Sequence, residues 1–139
     1  MTKTLSHRWP LALGIVLGLS QGLTDVLGGV PWVPSSVTTW MLPVLALAYL
    51  VFGAARGELG QPGVLTTQLL GLLGFGVLAA VALVVEPEIG RYVVAAGWLG
   101  HAVWDALHHR AGRVVPAWYA EFCIVFDVLV AASILLSGV

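Results

Sequence analysis

Charge is what this sequence has least of: six Lys or Arg and seven Asp or Glu are spread over 139 residues, where soluble domains carry about a quarter charged residues. A chain so poor in ions cannot clothe a water-facing surface, which excludes the ordinary soluble class. Its formal net charge of −1 provides no basic field for nucleic acid, so no nucleic-acid partner is expected. Cysteine is nearly absent as well. Cys123 stands alone, so there is no intrachain disulfide and no Cys-rich metal site. Nor is any polar stretch long enough to fold as a separate soluble domain.

What fills the chain is apolar: 59% of the residues are hydrophobic and the mean hydropathy is +0.97. Five runs approach the ~20 residues that a bilayer core requires, at about 11–30, 38–55, 64–85, 91–109 and 115–137. They are separated by breaker clusters, "GGVPWVPSS", "RGELGQPG", "EPEIGR" and "RAGRVVP", where Pro and Gly end each helix within reach of water. The expected fold is an all-α integral membrane protein, residues 1–139 forming one bundle of five transmembrane helices. Basic residues set its orientation. With a cytoplasmic N-terminus and an outside C-terminus, Lys3, Arg8, Arg56, Arg110 and Arg113 lie inside and only Arg91 outside. The opening segment resembles a signal peptide but lacks an A-x-A-like cleavage site, so it reads as an uncleaved first span.

Ionisable groups inside membrane spans are costly and mark candidate sites. The first span carries Gly14, Gly18 and Gly22 on one stripe, with Gln21 and Asp25 on the same stripe at about 100° per residue. Glycine stripes let helices approach closely, so Asp25 is expected to face the bundle interior. The fourth span holds "WLGHAVWDALHHRAGR". Taking His101 as zero, Asp105 falls at about 40°, His108 at about 340° and His109 at about 80°, all on one face, with Trp98 and Trp104 as flanking walls. On the fifth span Tyr119, Cys123 and Asp127 lie within about 80° of one another, and Glu121 lies elsewhere. Tyr49 and Gln68 read as helix-to-helix hydrogen-bonding residues.

His101, Asp105, Asp127 and Asp25 are therefore the candidate catalytic groups, and Gln21, Trp98, Trp104, Tyr119 and Cys123 the candidate substrate contacts. His101 and Asp105, four residues apart, can exchange or share a proton and suit general acid–base catalysis on a lipophilic molecule. A divalent metal remains open as cofactor. His101 and His108 are about 10 Å apart along the axis, too far for one ion without a bend, so His108 and His109 are the metal candidates near the cytoplasmic mouth.

The string H-A-V-W-D-A-L-H-H resembles a fragment of the histidine boxes of membrane desaturases and hydroxylases, with Asp105 where a histidine would stand. Those enzymes use many more histidines than the four present. The architecture is similar to that of five-span sterol-isomerase-type proteins, although the motif strings differ. Together with V-P-A-W-Y and F-C-I-V-F-D, the string resembles small multi-spanning bacterial membrane proteins over roughly residues 98–130. That likeness implies a polar site and a bacterial cytoplasmic membrane, and it imports no activity. The leading expectation is a small membrane enzyme acting on a lipid or lipophilic small molecule. A proton-coupled or metal-ion transporter, possible as a homo-oligomer, and a structural or assembly subunit are the alternatives.

Overall fold

A computed structural model describes residues 8–138; Lys3, counted above for orientation, lies outside the described residues. These form five helices and no strand: α1 (Trp9–Leu27), α2 (Val37–Ala55), α3 (Val64–Val84), α4 (Pro87–Ala111) and α5 (Ala117–Leu136). Four of them, α1, α2, α3 and α5, are long and apolar enough to cross a membrane, which makes this a multi-pass membrane protein by length and composition. α4 is the longest at 25 residues, but His, Asp and Arg residues dilute its apolar character.

Local chemistry sets the ends. Pro10 and Pro87 occupy the first turns of α1 and α4, where a missing N–H breaks no hydrogen bond. α1 stops at Leu27, short of the expected 30, because Gly28 and Gly29 turn the chain. α4 closes on Gly112 at φ 65°, whose N–H reaches the carbonyls of His108 and His109, the usual left-handed glycine stop.

The glycine stripe of α1 packs as the sequence leads one to expect, and its partner is α5. A side chain at Gly14 would meet the Phe122 carbonyl oxygen at 2.7 Å, one at Gly18 would meet Leu129 at 2.8 Å, and one at Gly22 would meet Ser133 at 3.2 Å. Both series of residue numbers rise together, so α1 and α5 run parallel. α4 runs antiparallel to α5, from Arg91 beside Leu135 to His109 beside Glu121. It is antiparallel to α3 as well, from Gly90 against Ala82 to His108 against Gln68. α2 packs on both α3 and α4, and α4 is thus surrounded on three sides. That position explains how a helix with so many polar groups stays in an apolar bundle: its neighbours, rather than lipid, receive them.

Arg91 shows the same economy at the Val85-to-Pro87 end. Its buried guanidinium donates from Nη1 to the carbonyls of Ile134, Leu135 and Ser137 at 3.3, 2.7 and 3.0 Å. The last carbonyls of α5 have no partner within the helix, and a cation there also complements the helix dipole. At the opposite end Glu58, between α2 and α3, accepts the N–H of Val114 at 2.5 Å and the Arg56 Nε–H at 2.9 Å. The Val114 bond, with Arg56 next, holds the Glu58 carboxyl below the ordinary carboxylate range. Val114 itself is buried at φ 74°, a left-handed conformation that a β-branched residue rarely adopts, so the Glu58 clasp fixes a strained turn.

Candidate polar site between three helices

His101, Asp105 and Asp127 meet inside the bundle, each with no solvent exposure. The i, i+4 spacing on α4 sets His101 Nδ1 3.1 Å from Asp105 Oδ2, and α5 brings Asp127 Oδ2 to 2.7 Å from the same nitrogen. The Tyr49 hydroxyl of α2 donates to the other oxygen of Asp105. His101 and Asp127 lie about 15 Å along their helices from the ends joined by the 112–116 turn, which is near mid-bilayer depth if both helices cross.

Both contacts of Nδ1 are to carboxylate oxygens, so the N–H sits on Nδ1 and is directed between them. Among the described residues, Nε2 is buried and has no partner, and neither does Asp127 Oδ1. In the neutral ring this leaves an unsatisfied lone pair on Nε2. Aromatic rings enclose the imidazole: Phe75 at 5.0 Å between centroids and Tyr49 at 5.8 Å. Phe75 also lines an open apolar cavity of about 540 Å³ along the seam of α3 and α4, whose wall includes Trp104.

The ligating atoms of His101, Asp105 and Asp127 fall within 4.8 Å of one another, a set able to hold one divalent ion. Against that use, a metal-bound histidine normally donates its second ring N–H to a neighbour, and Nε2 here has none.

Other candidates are distributed differently. Asp25 does not join His101; its carboxylate accepts from Gln21 Nε2 at 2.9 and 3.0 Å, and it borders a small cavity with Pro31 and Ser137 at the far end of α1. The reason is the side of α5 that α1 covers. Phe122, Leu129 and Ser133 lie roughly 120–160° around that helix from Asp127, so α5 itself separates the glycine stripe from the imidazole. The expectation that Asp25 shares this site is corrected accordingly, although the stripe is a packed face.

His108 and His109 also part, which corrects their pairing as metal ligands. His108 donates from Nδ1 to the Trp104 carbonyl at 2.9 Å, leaving Nε2 to accept from Gln68 Nε2 at 2.9 Å, while His109 pairs with Glu121 at 3.0 Å. Consecutive residues point about 100° apart, enough to send one towards α3 and the other towards α5. Trp98 is buried with its Nε1 donating to the Thr38 carbonyl at 3.0 Å, a tie to α2 rather than a wall of the cluster. Trp104 does stand beside the site, against Tyr49 and Phe75. Cys123 is buried one turn from Asp127 on the same side of α5, and Tyr119 packs on Tyr49 and Phe52.

Two residues were underrated by sequence reasoning. Tyr49 looked like a simple interhelical hydrogen bond, and only the neighbouring helix reveals that its acceptor is the carboxylate that touches His101. Phe75 carried no polar signal. Its spacing from Gln68 and Gly71, at i, i+3 and i+7 on α3, is the one clue that it faces α4. No protein-family model, curated protein or solved structure matches this chain.

Proposed function

We propose that this is a small enzyme of the bacterial cytoplasmic membrane, with five crossings and an inside N-terminus, that moves protons on a lipophilic substrate through His101. Five crossings are supported by the parallel packing of α1 and α5. Were α4 to lie outside the bilayer, α5 would be the fourth crossing and would run antiparallel to α1. Arg56, Arg110 and Arg113 flank the ends of helices that meet at the Glu58–Val114 clasp, and Arg91 is at the other end, which supports the positive-inside orientation.

One observation carries the catalytic reading: an imidazole clamped at Nδ1 by two carboxylates, with a buried and unpartnered Nε2. Such a clamp fixes the tautomer and ring orientation and stabilises the imidazolium that forms when Nε2 takes a proton. The proton leaves one atom of the substrate for Nε2 and returns to another, giving an isomer with no change in oxidation level and no co-reactant. Asp105, Asp127 and Tyr49 are positioning residues. Proton transfer by a positioned group contributes roughly 10²–10⁴-fold in rate.

The test uses purified protein in vesicles made from the lipid extract of the expressing cells, incubated in D₂O and followed by mass spectrometry. A lipid species that gains deuterium or converts to an isomer with the native chain, at a rate falling about 100-fold or more in His101→Gln, is the expected result. Identical lipid profiles for both proteins would end the enzyme reading.

A second reading, proton-coupled transport, draws on the hydrogen-bonded chain Tyr49–Asp105–His101–Asp127, which links three helices. Proteoliposomes under a pH gradient, carrying a trapped pH dye, distinguish the two: transport requires proton flux that His101→Gln abolishes. One transition metal per purified chain, lost in His101→Ala, would replace both with a metal centre.

A further inference from the structure

An open apolar cavity runs along α3 beside Phe75 and Trp104. Resting on the acid–base reading above, we propose that it holds the hydrocarbon chain of a lipid from the cytoplasmic leaflet, and that the group to be transformed lies well down that chain, at the level of Phe75.

The cavity follows α3 from Thr67 to Leu78, about 16 Å along the axis, which is close to one leaflet of a ~30 Å hydrocarbon core. Its inner end is marked by Thr67, one turn inside α3, and its deep end reaches mid-bilayer. The groove is open because Gly74 contributes no side chain, while Gly71 lets Trp104 form its wall. At Gly71 the vacated space is taken by the Trp104 indole, which a Cβ would meet at 2.7 Å; at Gly74 nothing lies within 4 Å. The walls are almost wholly apolar and lie open to the bilayer side, so a hydrocarbon chain is the occupant that needs no desolvation of polar groups.

Continuity with the buried cluster distinguishes this groove from ordinary lipid-facing surface. Phe75 lines it on one side and touches the His101 ring on the other, at 5.0 Å and tilted by 58°. Trp104 lines it and stands against His108 at 4.9 Å, and the Trp104 Nε1 is buried without a partner. Phe75 is the residue that stands between the groove and the imidazole, so its displacement would bring a chain carbon to His101. Phe75 lies eight residues beyond Thr67, about 12 Å deeper, so a lipid seated with its polar end near Thr67 presents mid-chain atoms, and not its head group, to the site. A second apolar hollow on the far side of α3, lined by Leu69, Leu73, Gly76 and Val77 with Pro43 of α2, does not include Phe75 or Trp104 and serves as an internal control.

The experiment is photolabelling in vesicles with a phospholipid bearing a diazirine at the middle of one acyl chain, read by peptide mass spectrometry. Labelling is expected to concentrate about 10-fold on Phe75 and Trp104 over the Leu73 and Val77 surface, and to saturate as the probe fraction rises. Gly74→Leu, which fills open space and improves helix propensity, should remove the concentrated label about 10-fold. Gly76→Leu should leave it unchanged. A probe with its diazirine beside the head group should label near Thr67 instead. Equal labelling of both faces, label rising linearly without saturation, or indifference to Gly74→Leu would overturn the proposal; the saturation curve of the native chain decides the matter even if a variant misfolds. Asp127→Asn separates the two readings, since it should lower turnover while leaving the label in place. A concentrated label with no lipid conversion would refute the acid–base function and leave the groove standing.

Discussion

Replacing His101 with alanine orphans Asp127 but only weakens the setting of Asp105. Among the described residues the imidazole is the one donor to Asp127, at 2.7 Å, and the other Asp127 oxygen has no partner. Asp105 keeps the Tyr49 hydroxyl. Removing the donor of a buried acceptor leaves that group unsatisfied and costs about 1–3 kcal/mol, more when the group is a carboxylate. The opposite truncation, Asp127→Ala, leaves His101 its contact with Asp105 at 3.1 Å. It therefore removes one charge-assisted hydrogen bond, worth about 1.5–3 kcal/mol in soluble proteins. Interhelical polar contacts in lipid average ~0.6 and reach ~1.7 kcal/mol, so the expected loss is about 1–2 kcal/mol. An order follows that no additive scheme gives. The double substitution removes the orphan together with its donor and should be about 1–2 kcal/mol more stable than His101→Ala alone. Steric trapping in lipid, or unfolding in mixed SDS micelles, measures all three free energies. If the double variant is the least stable, with losses adding to within about 0.5 kcal/mol, the three residues are independent packing groups and the reasoning fails.

Reporter fusions should place the N-terminus inside and the C-terminus outside; the same side for both would exclude five crossings. Gly22→Cys with Ser133→Cys should form a disulfide between α1 and α5, the Cβ position at Gly22 lying 3.2 Å from that of Ser133. Adding Gly14→Leu should abolish that crosslink, because its Cβ would press on the Phe122 backbone at 2.7 Å and overpacking of this kind costs about 1–3 kcal/mol; no crosslink in the Gly22→Cys/Ser133→Cys pair would refute the α1–α5 contact, and a crosslink that persists with Gly14→Leu would refute the close approach at Gly14. The Glu58 clasp should depend on pH. Its folded value is lowered, chiefly by the Val114 N–H, so the bond is fully present above the ordinary carboxylate range and is lost as pH falls through the lowered folded value. Hydrogen exchange at the Val114 amide, corrected for its intrinsic rate, should lose protection on that descent, and Glu58→Ala should lack the protection at every pH.

Helix periodicity and hydropathy by themselves determined that the chain is helical and membrane-crossing. They also fixed which residues of each helix share a face: His101 with Asp105, and Gly14 with Gly18 and Gly22. Both patterns follow from backbone geometry, which is the same whatever surrounds the helix. Which neighbour covers each face was decided only by tertiary packing. Asp25 and Asp127 were both candidates as carboxylates within apolar spans, yet α1 docks on the side of α5 turned away from Asp127, so one carboxylate reaches the imidazole and the other stays with Gln21. His108 and His109 share a sector broad enough to look like one site until α3 offers Gln68 to the first and α5 offers Glu121 to the second. The Tyr49 hydroxyl gains its partner from a helix 56 residues away. A one-dimensional pattern gives the angle at which a side chain leaves its own helix; the group it meets depends on the rotation and register of the next helix, which close packing of glycine, aromatic and aliphatic surfaces sets across the whole bundle.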